Sequence, residues 1–438
     1  MASIKEILVS LKEKPAQISK RSSVIRKRTH VSERLKQPRL HKYRHRGVLY
    51  VSCFLLILST RLADAANPIS VWNVKNFGAV GDGKTDASKA LLGAWKRACQ
   101  SPGKSKVLIP KGTFLVYPVV LSGPCRESVD LRVKGVVTAP GLDAFNSDAW
   151  IEFQYINGLT ITGSGIFDGQ GAEAWPRNRC KQSSNCPQLP VSLRFSFVRD
   201  ATIQGISSLN SKNKHFAFYA CENVVVRFIK IAAPADSPNT DGIYTALSRR
   251  IQILGSVIAT GDDCVAIGPG SYNVTVAGVF CGPGHGISVG SLGRNPDEAD
   301  VTGLKVRNCT FTNTDNGVRI KTWPDRPARN SVSDIIFEDI LMHDVHNPIV
   351  IDQLYCPHDQ CSLKSPSKVR LRDITYRNIR GVSTSETAVM FLCSAEVPCQ
   401  NVDLVNINLS FKGEGPSKSS CFNVDGVASG MQKPPPCF

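Results

Sequence analysis

The 438-residue chain has no apolar run long enough for a comfortable transmembrane helix. The apolar run at residues 47–60 is 14 residues without a charge, where about 20 are needed to span a bilayer. None of the 15 cysteines forms a Cys-x-x-Cys pair at zinc-finger spacing, which argues against a cysteine-based metal framework. The spaced-leucine pattern of a leucine-rich horseshoe is missing as well. Acidic residues are scarce at the start. Residues 1–46 hold 14 Lys/Arg against 3 Glu, a net of +11, which leaves only +6 of the formal +17 for the rest of the chain. A basic run of this kind can be a nucleic-acid arm. Here the apolar run follows it, and Ala63-Asp64-Ala65 then has the small-x-small form of a cleavage site, so a secretory signal with an overlong basic start is the better reading. A signal anchor is the alternative, disfavoured by the short run. Neither a nucleic-acid partner nor a stable membrane span is expected.

The chain divides accordingly into a basic leader (1–46), an apolar signal segment (47–66) and one domain (67–438), with cleavage expected near Ala65 or Ala66. Cysteine usage agrees with export. Beyond Cys53 the chain has 14 cysteines, an even number that suits disulfides in an oxidising compartment. Close spacing suggests clips between Cys180 and Cys186, Cys356 and Cys361, and Cys393 and Cys399, while Cys264 and Cys281 bracket a central segment. Asn273, Asn308 and Asn408 head glycosylation sequons, which permit modification without proving it.

One amphipathic helix is predicted. Asp86 can cap a helix running through Cys99, with Ala90, Leu91, Ala94, Trp95 and Ala98 on one face. Everything after it is rich in Val, Ile and Thr and punctuated by Gly, Asn and Asp, the composition of strands and turns. Two series interleave. Short strands begin at Gly158, Asp200, Asn223, Arg250, Asn273 and Gly303, and others at Phe216, Gly242, Cys264, Gly286, Gly317 and Pro348. Repetition at this spacing is the mark of a solenoid with at least two parallel strands per coil. The expected fold is therefore all-β, a right-handed parallel β-helix, with the helix covering the open N-terminal end of its core. Two steps lengthen to 31 residues, around 290–300 and 324–331. Insertions of this kind become loops, and loops carry specificity.

The chemistry lies in residues 237–323. Asp241, Asp263 and His285 stand at successive steps of 22, each just before a short apolar strand. If one coil takes 22 residues, their side chains stack about 4.8 Å apart. Any one Asp in Asp-Gly or Asp-Asp is more often a turn residue, but three in matching register, with a His in the next coil, are not explained by turns. Carboxylates so close cannot all ionise freely, so Asp241, Asp262 and Asp263 can supply both a protonated acid and an ionised base. Glycosidic hydrolysis needs that combination. A metal held by these groups is conceivable from the donor set. It is disfavoured by Arg319 and Lys321, two apart on one strand and so on one face, where a cation would compete with them. Two cations beside carboxylates suit an anionic substrate. No metal or other cofactor is expected.

At these residues the chain resembles glycoside hydrolase family 28, the polygalacturonases and related pectin glycosidases. SPNTDG (237–242), GDD (261–263), GHG (284–286) and RIK (319–321) match four family motifs in order, with DGQG at 168–171. TGDDC, CGPGHGIS and RIKTW are similar to the plant branch, and HFAFYACEN and GISVGSLG to its pollen-type exo-acting members. The resemblance implies a β-helix that hydrolyses α-1,4-galacturonosyl bonds in polygalacturonate with inversion. It implies Asp262 as general acid, Asp241 and Asp263 as activators of water and His285 as support for the acid. Asn239, Arg319, Lys321 and Tyr355 would bind substrate or shape the site. The implied protein is secreted, acts as a monomer and works on pectin in the cell wall. A family member acting on rhamnogalacturonan or substituted pectin is the alternative, and a β-helix that binds pectin without cleaving it is the non-enzymatic one. Coil spacing sets a test of this picture. Inverting carboxylates usually lie about 6.5–9.5 Å apart and adjacent coils give about 5 Å, so strand twist and side-chain direction must supply the difference.

Overall fold

The structure, a computed structural model, describes residues 69–179, 186–357, 361–362 and 365–438. The basic leader, the signal segment with its cleavage site, Cys53, and the Cys180 end of the expected 180–186 clip lie outside them. No helix among the described residues is long and apolar enough to cross a membrane.

Every strand pairing between coils is parallel, and residues at the same place in successive coils face one another. Ile203 pairs with Val226, Val226 with Ile253, Ile253 with Val276 and Val276 with Val306, and all five are buried. Repetition with a β-branched residue at this slot therefore builds a continuous aliphatic column rather than separate cores. Phe153, Phe195 and Phe218 form a second column, with ring centroids 4.9 and 4.7 Å apart. These columns close a right-handed parallel β-helix, the hand that parallel connections favour. Among the described residues its strands form a 22-stranded sheet and an 11-stranded sheet. The smaller sheet runs from Val119–Ser122 to Lys418–Phe422.

The Gly, Asp and Asn residues that open the first sequence series have a common physical role. Asp200, Asn223, Asn273 and Gly303 all take left-handed backbone, with φ of 52, 56, 54 and 73°. That conformation turns the chain into each new strand, and these residue types accept it most easily. Arg250 adopts it too, at φ 55°, although its side chain gives no such advantage.

The α-helix spans Ser88–Gln100, and Ala90, Leu91, Ala94, Trp95 and Ala98 are its buried face, as the spacing predicts. Its start differs from the expectation by one residue. Ala87 occupies the N-cap and makes no side-chain bond. Asp86 lies one residue earlier, where its Oδ1 still accepts the Ser88 N–H at 2.8 Å. Trp95 Nε1 donates to the Ser122 carbonyl at 3.0 Å, tying the helix to the first strand of the smaller sheet.

The disulfides Cys264–Cys281, Cys356–Cys361 and Cys393–Cys399 form as the spacing suggests. Cys99–Cys125 and Cys421–Cys437 join segments whose approach only the fold creates. An even cysteine count does not mean full pairing here: Cys221 and Cys309 are buried free thiols that behave as small core residues. Asn273, Asn308 and Asn408 are all exposed.

Candidate active site

The 22-residue step is one coil. Ile243 pairs with Val265 and Val265 with Ile287, and Asp241, Asp263 and His285 each stand two residues ahead of these partners. Backbone bonds lock the column, from Gly242 N to the Asp263 carbonyl at 2.9 Å and from Cys264 N to the Gly286 carbonyl at 2.8 Å. The pleat then places Val318 and Ile320 of the strand Asn316–Thr322 in the core and sends Arg319 and Lys321 outward beside the column.

Asp262 is held from three directions. Its Oδ1 accepts the Asp263 N–H at 2.9 Å and lies 3.0 Å from His285 Nδ1, while its Oδ2 accepts from Asn239 Nδ2 at 3.2 Å. Asn239, expected to meet substrate, thus also orients a carboxylate, and its own Oδ1 accepts from Asn178 Nδ2 at 3.1 Å. Asp263 is held by three side chains. It accepts from Ser288 Oγ at 2.7 Å, Arg319 Nη2 at 3.0 Å and Lys321 Nζ at 2.8 Å. The side chains of Asp263, Arg319 and Lys321 are only 3%, 13% and 7% exposed, so this is an ion cluster largely out of water. Tyr355 lies across both cations, its ring centroid 5.2 Å from Lys321 Nζ and 6.0 Å from the Arg319 guanidinium carbon. Asn239, Asp241, Asp262, Asp263, Lys321 and Tyr355 line a pocket of about 330 Å3. The expected loop at 290–300 supplies Arg294, Asn295 and Glu298 to the same pocket. Gly290 permits that loop: at φ 106° a Cβ would sit 2.3 Å from the Lys321 carbonyl oxygen.

Asp241 and Asp262 are electrostatically opposite. Burial pushes the Asp241 carboxyl up to about 7, helped by Asp262 and Asp263 and opposed by Lys214. Burial acts on Asp262 in the same sense, but the His285 hydrogen bond and charge, then Lys321 and Lys214, outweigh it and hold Asp262 well below the usual carboxylate range. His285 moves the other way: burial lowers it, and its bond to Asp262 with the charges of Asp262 and Asp263 raises it on balance. Below about pH 7 the site therefore favours a proton on Asp241 and a negative charge on Asp262. A metal at Asp262, Asp263 and His285, whose donor atoms lie within 4.8 Å of one another, would have to displace two cations and a hydroxyl from Asp263.

All the expected site residues converge here. Others were not foreseen. Ser288 bridges Asp263 and Arg319, donating to the first and accepting from Arg319 Nε at 3.1 Å. Asp315 Oδ2 lies 3.3 Å from His285 Nε2. Lys214 Nζ is 4.0 Å from Asp241 Oδ2. A signal for Lys214 existed. Phe216 pairs with Ile243, so Lys214, two residues ahead of Phe216, occupies the column slot one coil before Asp241. That step is 27 residues rather than 22, and the regular period hides it.

Residues 99–431 match the family model described as Glycosyl hydrolases family 28. Residues 71–123 also match a model described as Rhamnogalacturonase A/epimerase, pectate lyase-like, which ends before any of the site residues. The chain is 47% identical over 368 residues to an exopolygalacturonase of Platanus acerifolia, covering 83% of this chain and 97% of that one. It is 46% identical over 387 residues to a polygalacturonase of Gossypium barbadense, covering 88% and 95%. Among solved structures, it is similar to an endo-xylogalacturonan hydrolase from Aspergillus tubingensis with a TM-score of 0.69 and 25% identity, covering 82% of this chain and 100% of that one.

Proposed function

Because the chain belongs to glycosyl hydrolase family 28, we propose that it hydrolyses the α-1,4-galacturonosyl bonds of polygalacturonate from a chain end, with inversion. The observation that carries this reading is one pocket holding a coupled acid–base pair, Asp241 and Asp262, beside the Arg319–Lys321 cations. The relatives' names, polygalacturonase and exopolygalacturonase, support the substrate and, for the second, the exo mode.

The resting charges suit the end of a turnover rather than its beginning. Asp262 is held ionised by His285, Lys321 and Lys214. A galacturonate carboxylate placed on Arg319 and Lys321 cancels part of that positive field, and exclusion of water raises the cost of a charge on Asp262 further. The proton on Asp241 can then pass to Asp262. Asp262 protonates the glycosidic oxygen as the C1–O bond breaks. Water attacks C1 from the opposite face and gives its proton to Asp241, which restores the resting distribution. Asp263 already accepts three bonds, so its main part is to anchor the cations, and Asp241 is the freer base.

Polygalacturonate treated with the enzyme should release one short product from the outset with little early loss of viscosity. Proton NMR should show the inverted anomer first, and kcat/KM should fall as pH rises through about 7, where Asp241 loses its proton. A rapid viscosity fall would replace exo with endo action. A retained anomer would overturn the mechanism, and no new reducing ends at all would overturn the activity.

We further infer that the leader directs export to the cell wall. N-terminal sequencing of the secreted protein should begin near Ala65 or Ala66, and secreted protein starting at Met1 would contradict this.

A further inference from the structure

Beside the catalytic pocket lies a second hollow of about 460 Å3, and Lys214 and Tyr244 line both. The hollow lies toward the N-terminal coils, on the other side of Asp241 from the Arg319–Lys321 cluster. Its floor is the outward face of the smaller sheet, where Arg194, Ala217 and Tyr244 follow one another in register. Arg194 is already matched, because its Nη1 lies 2.5 Å from Asp148 Oδ1.

Lys214 is not matched in this way. Among the described residues Asp241 is the only carboxylate within 4.0 Å of its ammonium, and it stands at that limit, beyond hydrogen-bond range. The Asn213 amide oxygen accepts from Nζ at 3.3 Å, and the Tyr244 ring centroid lies at 5.5 Å. An ammonium mostly out of water (22% exposed) on an aromatic face, with its one neighbouring carboxylate no nearer than 4.0 Å, is arranged to take an anion from the groove. Such a contact is charge-assisted and partly shielded from water, where it is worth most.

We propose that Lys214 is a specificity-determining residue that binds the carboxylate of the sugar unit on the hollow's side of the scissile bond, opposite the unit held by Arg319 and Lys321. This rests on the polygalacturonate reading above. The site would then check for a carboxylate on both sides of the bond it cuts. A neutral hexose on the Lys214 side would shield the ammonium from water without giving it a close anionic partner, which penalises that substrate rather than merely failing to reward the correct one.

The test is a cycle between enzyme and substrate. Short oligogalacturonates, each carrying a methyl ester on one defined unit, are assayed with the wild type, Lys214→Gln and Lys214→Arg. In the wild type one ester position on the hollow's side should lower kcat/KM about ten- to a hundredfold, the range for a lost charged hydrogen bond. In Lys214→Gln that ester should have no further effect, and Lys214→Arg should restore most of the discrimination. Any effect of the substitution on Asp241 itself falls equally on esterified and free substrates and cancels in the ratio. If every ester position costs the same in Lys214→Gln as in the wild type, the assignment is wrong. If the wild type cleaves no oligogalacturonate, the parent reading fails first and takes this one with it.

Discussion

Asp262→Asn should fold as the wild type does and lose about 10²–10⁴ in turnover, the usual contribution of a general acid. The substitution keeps the shape of the side chain, and its amide oxygen can still accept the Asp263 N–H and the His285 bond that Asp262 Oδ1 now receives. It cannot carry a proton to the leaving oxygen. The new amide NH2 would face Asn239 Nδ2, which now donates to Asp262 Oδ2, so a local adjustment of Asn239 is expected without wider disturbance. Initial rates on polygalacturonate, together with an unchanged thermal transition, check both halves of the expectation. Near-normal turnover in a folded variant would remove Asp262 from the acid role.

Asp263→Ala should fail differently, losing activity and also about 3–5 kcal/mol of stability, the typical cost of breaking a buried ion pair by deleting one partner. The reason is what remains. Arg319 and Lys321 are almost out of water and share Asp263 as their acceptor, so its removal leaves two like charges buried together. Replacing both cations with Met in the Asp263→Ala background should recover much of the stability and none of the activity. Denaturant unfolding of the single and triple variants gives the comparison directly. An unfolding midpoint for Asp263→Ala equal to that of the wild type would show that water or rearrangement solvates the cations, and would undo the account of this cluster.

These outcomes differ because the site was only half legible in the sequence. Positions could be read: a column of Asp241, Asp263 and His285 follows from a 22-residue step, and the outward pair Arg319 and Lys321 follows from strand alternation. The sharing of charge could not. Which carboxylate keeps the proton depends on burial and on distances to Lys214, His285 and Lys321, none of which a spacing contains. The same holds for Ser288, an ordinary strand serine until Asp263 and Arg319 are brought to either side of it. The fold was more legible, because a solenoid repeats its packing rule in every coil and each repetition confirms the last. The Cys421–Cys437 bridge and the unpaired Cys221 and Cys309 escaped, since pairing is decided by proximity across coils and not by count.

The loop at 290–300 shows what the architecture allows. From Gly286 to Gly317 the chain takes 31 residues, against 22 for the preceding step, yet Ser288 still pairs with Arg319 and Val289 with Ile320. Contour length and pitch are independent in such a molecule: the peptide ladder sets the axial interval, and extra chain is expelled sideways. Arg294, Asn295 and Glu298 reach the pocket by that route. The wall of the groove can therefore be rewritten by insertion or deletion while the interval between the side chains of the Asp241, Asp263 and His285 column stays constant to the width of one hydrogen-bonded strand. A lineage changing its preferred polysaccharide can do so there without having to rediscover its chemistry.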